Sequence, residues 1–146
     1  MTHRPMNVLY FGDIAVGQPL PTLVKCPDIV QSMRVGAVTE NFHRVHWDRE
    51  FARHDGLPDV ILGTAFLSNM LSQLVTDWIG VEGTLRKLAY RFRGYAHPGD
   101  SLTATGAVVA TEVRDGQPTV ECQLWIANQH GTRLTEGSAT VVLPVR

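Results

Sequence analysis

The sequence predicts an α+β domain in which one long helix is wrapped by one curved antiparallel sheet. One observation is a single apolar stripe at helical spacing between Gly63 and Gly80. A second is that the β-rich runs all follow this helix and are separated by turn chemistry. Neighbouring strands are then antiparallel, and the helix is left to cover their apolar face. A third is size. With 146 residues, 44% hydrophobic and 18% charged, the chain fits one core, and we expect one domain over residues 1–146.

The helix is read from Leu67, Met70, Leu71, Leu74, Val75 and Trp78, spaced i, i+3, i+4, i+7, i+8 and i+11. Gly63 or Thr64 caps its start, and Gly80 stands where a C-terminus commonly takes positive φ. Met70, Leu71, Leu74 and Trp78 are most simply core. Next, Leu88, Tyr90 and Phe92 alternate with Ala89, Arg91 and Arg93, the period of a half-buried strand. Three further runs span Ser101 to Glu112, Thr119 to Ala127 and Arg133 to Leu143. His97-Pro98-Gly99-Asp100, Arg114-Asp115-Gly116-Gln117 and Asn128-Gln129-His130-Gly131 form the turns. A helix wrapped in this way by a curved sheet is called a hot-dog fold, and its open edge commonly pairs with a second copy.

Composition narrows the function. A formal charge of -1 lacks the basic footprint of a nucleic-acid binder. No window reaches the roughly 18 apolar residues of a spanning helix, so no membrane partner is expected. Cys26 and Cys122 lie far apart, which favours reduced thiols and a cytoplasmic protein.

The chemistry-bearing groups concentrate between Thr39 and Glu50. A histidine near its ordinary pKa of about 6.5 takes a proton from water and returns it close to neutral pH. We take His46 as that base. Asn41 offers an acceptor and two donors but does not titrate, which suits it to holding water. His43 is a possible additional polar site. Against this stands a structural reading in which both histidines cap a helix or pair with Asp48 in a solvated loop. A metal held by His43, His46 and Asp48 is disfavoured, because Asp48 follows too closely to share a helical face and no cysteine cluster supports it. No metal is expected. Orphan N–H groups at the start of the long helix suit a developing oxyanion, which nominates Gly63 and Thr64.

The segment Glu40-Asn41-Phe42-His43-Arg44-Val45-His46-Trp47-Asp48 resembles the signature of MaoC-like enoyl-thioester hydratases and dehydratases, Gly-Asp-x-Asn-Pro-aliphatic-His-x-Asp. Val45, His46 and Asp48 match. Glu40 stands for the family glycine, Asn41 for its aspartate, His43 for its asparagine and Arg44 for its proline. These departures are themselves similar to a branch containing mitochondrial-type 3-hydroxyacyl-thioester dehydratases and mesaconyl-CoA hydratases. Val75-Thr76-Asp77-Trp78-Ile79-Gly80 resembles the small MaoC-type subunit of an actinobacterial steroid side-chain hydratase. The stretch Phe11 to Gln18 resembles the family's opening strand and turn, and Tyr90 to Leu102 its arginine-bearing strand and Pro-Gly-Asp turn.

The resemblance implies hydration of a trans-2-enoyl thioester, or the reverse dehydration of a 3-hydroxyacyl thioester. The substrate would be acyl-CoA or carrier-bound, and no cofactor is required. It implies His46 as the titrating group, Asn41 as the water holder, and the carbonyl against Gly63 and Thr64, with Leu62 in place of a histidine common in the Asn-containing branch. Arg86, Lys87, Arg91 and Arg93 either meet the carrier's phosphates or form a solvated sheet face. A homodimer or higher oligomer is expected, with a heteromer alongside another MaoC-like subunit as the alternative. Two other functions compete: a non-catalytic subunit, for which Asn41 is the best support, and a thioesterase. His54, His97 and His130 carry no assignment, and His3 lies near a terminus.

Overall fold

The computed structural model of the chain describes residues 8–146, so His3 lies outside the described residues. In chain order the elements are β1 (Leu23–Lys25), α1 (Ile29–Thr39), α2 (Arg49–His54), α3 (Thr64–Ile79), β2 (Thr84–Phe92), β3 (Leu102–Arg114), β4 (Gln117–Ala127) and β5 (Arg133–Val142). Short 3-10 turns occupy Phe11–Asp13 and Arg44–His46.

The strands form one antiparallel sheet in the order β1-β3-β4-β5-β2. Local chemistry sets its central hairpin. Asp115 and Gly116 both take positive φ, 51° and 75°, and Arg114 pairs with Gln117 across them. A two-residue turn of this kind matches the right-handed twist of the strands it joins. Along β3, Leu102, Ala104 and Val108 alternate inward and are almost fully buried. From α3, Leu67, Met70, Leu71, Leu74, Val75 and Ile79 pack on that curled inner face against Val120, Cys122, Leu124, Ile126, Ala139 and Val141. The helix expected between Gly63 and Gly80 is therefore present, with Gly63 as N-cap and Gly80 as C-cap at φ 68°. Trp78 is only partly buried, at the rim of the core.

Two sequence expectations need correction. Phe11 to Gln18 does not open with a strand: Phe11–Asp13 is a 3-10 turn, and the sheet edge is first reached by the bridge of Pro19 with Ala107 and then by β1. Gly12, Gly17 and Pro19 interrupt any alternation there. The long helix is also not alone, because α1 adds eleven residues beside it. The N-terminus of α1 is built by a capping box: Asp28 accepts from the Gln31 N–H at 2.8 Å, and the Gln31 side chain accepts from the Asp28 N–H at 2.9 Å.

The sheet's two edges differ. β1 is three residues long in a segment broken by Pro19, Pro21 and Pro27, whereas β2 presents nine residues whose outer side pairs with nothing among the described residues. No helix among the described residues is long and apolar enough to cross a membrane.

Candidate active site

The loop carrying His46 is fixed by its own backbone chemistry. Glu40 ends α1 in the left-handed conformation, φ 55°, with its N–H and that of Asn41 both donating to the Gly36 carbonyl. That reversal turns residue 41 back toward the helix axis. The position is the one at which the related motif carries glycine, and glycine takes this conformation at no steric cost. Downstream, Val45 is buried and its carbonyl accepts the Ile61 N–H at 3.0 Å. The Trp47 indole N–H closes the loop on the Phe42 carbonyl at 3.1 Å.

Within this frame His46 has one defined partner on each side. Its Nδ1 lies 2.9 Å from the Ile61 carbonyl oxygen, which only accepts, so Nδ1 carries the proton and Nε2 presents a lone pair. Asn41 lies at that second nitrogen, Nδ2 to Nε2 3.5 Å, while its Oδ1 accepts from the His43 N–H at 3.3 Å. A Cβ built on Gly63 would stand 3.8 and 3.9 Å from Cε1 and Nε2 of His46, so the start of α3 passes directly beside the ring. The N–H groups of Gly63, Thr64 and Ala65 find no acceptor among the described residues, and Gly63 has no side chain to cap them. They are the donors at the positive end of the longest helix. A lone pair, an amide and a row of free donors thus converge on one point.

Three hollows meet there. One of about 400 Å³ runs under the end of β2 and is lined by Ile61, Thr64, Leu67, Phe92 and Tyr95 as well as His46. Another of about 520 Å³ lies across α1, walled by Val30, Met33, Ala37, Phe42 and Trp47, with Asn41 and His46 at its floor. A narrow cleft between α1 and α3, lined by Ser32, Gly36, Gly63 and Ala65, also reaches Asn41 and His46.

The other nominated residues separate from this point. His43 Nδ1 accepts from the Val45 N–H at 3.4 Å, and its ring centroid is 6.3 Å from that of His46. It caps the 3-10 turn. Asp48 is the N-cap of α2 and ion-pairs with Arg44 at 2.6 Å. The Phe51 N–H, and after it Arg44, hold the Asp48 carboxyl below its ordinary value of 3.8. Both groups are engaged elsewhere, and no cluster with metal-ligand spacing occurs among the described residues. After β2, Arg93 lines the first of these hollows and pairs with Glu136 at 3.0 Å, and on the strand Arg86 reaches Gln117 at 3.5 Å. Ile61 escaped sequence reasoning because it contributes only a carbonyl, which no residue type signals.

A family model described as hydroxyacyl-thioester dehydratase type 2 matches residues 21–97, more than half of the chain. The chain belongs to this family. The match covers β1, the His46 loop, the whole of α3 and β2, so the family is recognised on the half that builds the candidate site. Among curated relatives, the mitochondrial hydroxyacyl-thioester dehydratase type 2 of Saccharomyces cerevisiae is 29% identical over 89 residues, 56% of this chain and 31% of the relative. This chain therefore aligns with under a third of the yeast dehydratase. The 3-oxo-4,17-pregnadiene-20-carboxyl-CoA hydratase beta subunit of Mycobacterium tuberculosis is 29% identical over 106 residues, 73% of this chain and 81% of the relative. Among solved structures, the (R)-hydratase from A. caviae involved in PHA biosynthesis superposes with a TM-score of 0.80 at 26% identity, covering 90% of this chain and 98% of that one. The hydroxyacyl-thioester dehydratase family thus sits, in this chain, on a MaoC-like hot-dog fold.

Proposed function

We propose that the chain interconverts a trans-2-enoyl thioester and its 3-hydroxyacyl thioester, with His46 as the group that moves the proton. The observation that carries this reading is the 2.9 Å contact from His46 Nδ1 to the Ile61 carbonyl, which leaves Nε2 as a base facing Asn41 and the start of α3. In the hydration direction the Asn41 amide donates to a water, Nε2 takes its proton, and the water oxygen bonds to C3. The π electrons move toward C2 and the thioester oxygen, where the N–H groups of Gly63 and Thr64 oppose the growing negative charge. The imidazolium then returns its proton to C2. Atoms and charge balance, and His46 ends as it began.

The test is a panel of enoyl-CoA esters followed by loss of conjugated thioester absorbance, with mass detection of the water adduct. His46→Ala is expected to lower turnover by about 10²- to 10⁴-fold with circular dichroism unchanged, the usual contribution of a general acid/base group. Wild-type turnover in that variant removes the assignment. Release of free thiol in place of the adduct makes the protein a thioesterase.

A second reading is favoured by the Mycobacterium tuberculosis relative, which is described as a beta subunit and is covered over 81% of its length. In this reading the chain works as one subunit of a heteromeric hydratase, with Asn41 in place of the family aspartate marking the weaker half. Purification from its native host with a second MaoC-like chain, and activity only in that complex, would select it.

A further inference from the structure

A fourth hollow, of about 460 Å³, lies where β1 runs into α1 and is lined by Lys25, Gln31, Arg34, Val35 and Phe66. Val35 also walls the narrow cleft that contains His46, Asn41 and Gly63, and Phe66 belongs to the first turn of α3. The hollow therefore shares α1 and the start of α3 with the cleft that holds the donors assigned above to the thioester oxygen.

Its charge is one-sided. Neither Lys25 nor Arg34 forms an ion pair among the described residues, and no carboxylate lines the cavity. The carboxylate adjacent in sequence, Asp28, is engaged by the Gln31 N–H in the capping box. The same box takes the Gln31 Oε1, which leaves the amide NH₂ of Gln31 without a partner among the described residues. A cavity holding an ammonium, a guanidinium and an amide donor over an aromatic floor suits a phosphate ester with an organic group attached. Of the cations on and just after β2, Arg93 lines the hollow that holds His46 but is paired with Glu136 at 3.0 Å, and Lys87 and Arg91 stand exposed on the strand.

We propose that this cavity binds the phosphate-bearing end of the thioester carrier, at the far end of the pantetheine arm from the sulfur. The proposal rests on the thioester reading of the His46 site and places the carrier's charge on the β1–α1 side of the molecule instead of along β2. Two carriers share this chemistry, the nucleotide end of coenzyme A and the phosphodiester that joins pantetheine to a carrier protein.

The experiment is calorimetric titration with free coenzyme A and with pantetheine, which lacks phosphate. It compares wild type, Lys25→Ala/Arg34→Ala and Lys87→Ala/Arg91→Ala, each checked by circular dichroism. Wild type is expected to prefer coenzyme A. That preference should fall about tenfold or more in the cavity variant, the scale of losing a charge-assisted contact, and persist in the strand variant. If the double variant does not fold, Lys25→Gln and Arg34→Gln singly are expected to lose part of the same preference. A parallel titration with holo and apo carrier protein identifies the source: the one whose phosphate-dependent affinity drops in the cavity variant. Preference that survives in the cavity variants, disappears in the strand variant, or is missing from wild type for both carriers overturns the proposal. Binding needs no turnover. Phosphate-dependent binding through Lys25 and Arg34 in a protein that hydrates no enoyl thioester would overturn the hydratase reading and leave this one standing.

Discussion

His46 is held by a carbonyl, and a carbonyl fixes a tautomer without altering charge. This makes the opposite face of the ring sensitive to whatever occupies position 41, 3.5 Å from Nε2. In Asn41→Asp a negative charge at that distance favours the imidazolium, so the proton is given up only at higher pH. If His46 works as the base, the acid limb of the pH-rate profile in the hydration direction is expected to move to higher pH, read from kcat/KM across the range. A profile that stays in place would mean that position 41 does not face the titrating group. The two cysteines make a second contrast at this scale. Cys122 is buried on β4, and burial, with the neighbouring Glu121 carboxylate adding to it, pushes its thiol from an ordinary 9.0 up to about 12. Cys26 is exposed. A disulfide-exchange reagent at neutral pH is expected to titrate one thiol in the folded protein and two after denaturation. Because the folded state keeps the Cys122 proton longer than the unfolded chain does, this group's contribution to stability is complete below about pH 9 and is lost as pH rises toward about 12.

Among the elements, α3 combines core and site: its inner stripe is sealed by the sheet and its first turn supplies the free donors. Leu71 is fully buried in the middle of that stripe, and Leu71→Ala is expected to cost about 2–5 kcal/mol in urea unfolding, the range for emptying such a position. A loss below about 1 kcal/mol would mean that the helix is not seated as described. α3 was legible because its six apolar positions repeat at the helical period and glycine bounds both ends. The strands of the second half were legible through Asp115-Gly116 and the alternation along β3. α1 was harder to read. Its residues are rich in valine and isoleucine, Gly36 interrupts it, and Val30, Met33 and Val38 stay exposed, so no stripe with a covered face announces it. The signal that does mark it is local: Asp28 and Gln31 at capping-box spacing. The site divides in the same way. His46 and Asn41 were named from residue type and motif, and Gly63 from its place before the helix. The orienting carbonyl of Ile61 and the left-handed turn at Glu40 are backbone features that no side chain reveals.

For the whole molecule, the distribution of unpaired backbone decides how it meets its neighbours. The outer side of β2 leaves the amides and carbonyls of a nine-residue strand unmatched along one edge, and a second copy related by a two-fold axis matches them with antiparallel partners. Sedimentation at micromolar concentration is therefore expected to give a dimer. Proline placed at alternate positions of β2, where it removes donors without adding charge, should shift the protein to monomer. A wild type that sediments as a monomer would refute edge pairing. The opposite edge behaves differently, because three residues of β1 flanked by prolines offer too few donors to hold another chain. In the language of assembly, the sheet has a valence of one. Through its edges alone it can complete one pair and then has no second long strand to offer, so growth along the sheet stops at the first such encounter.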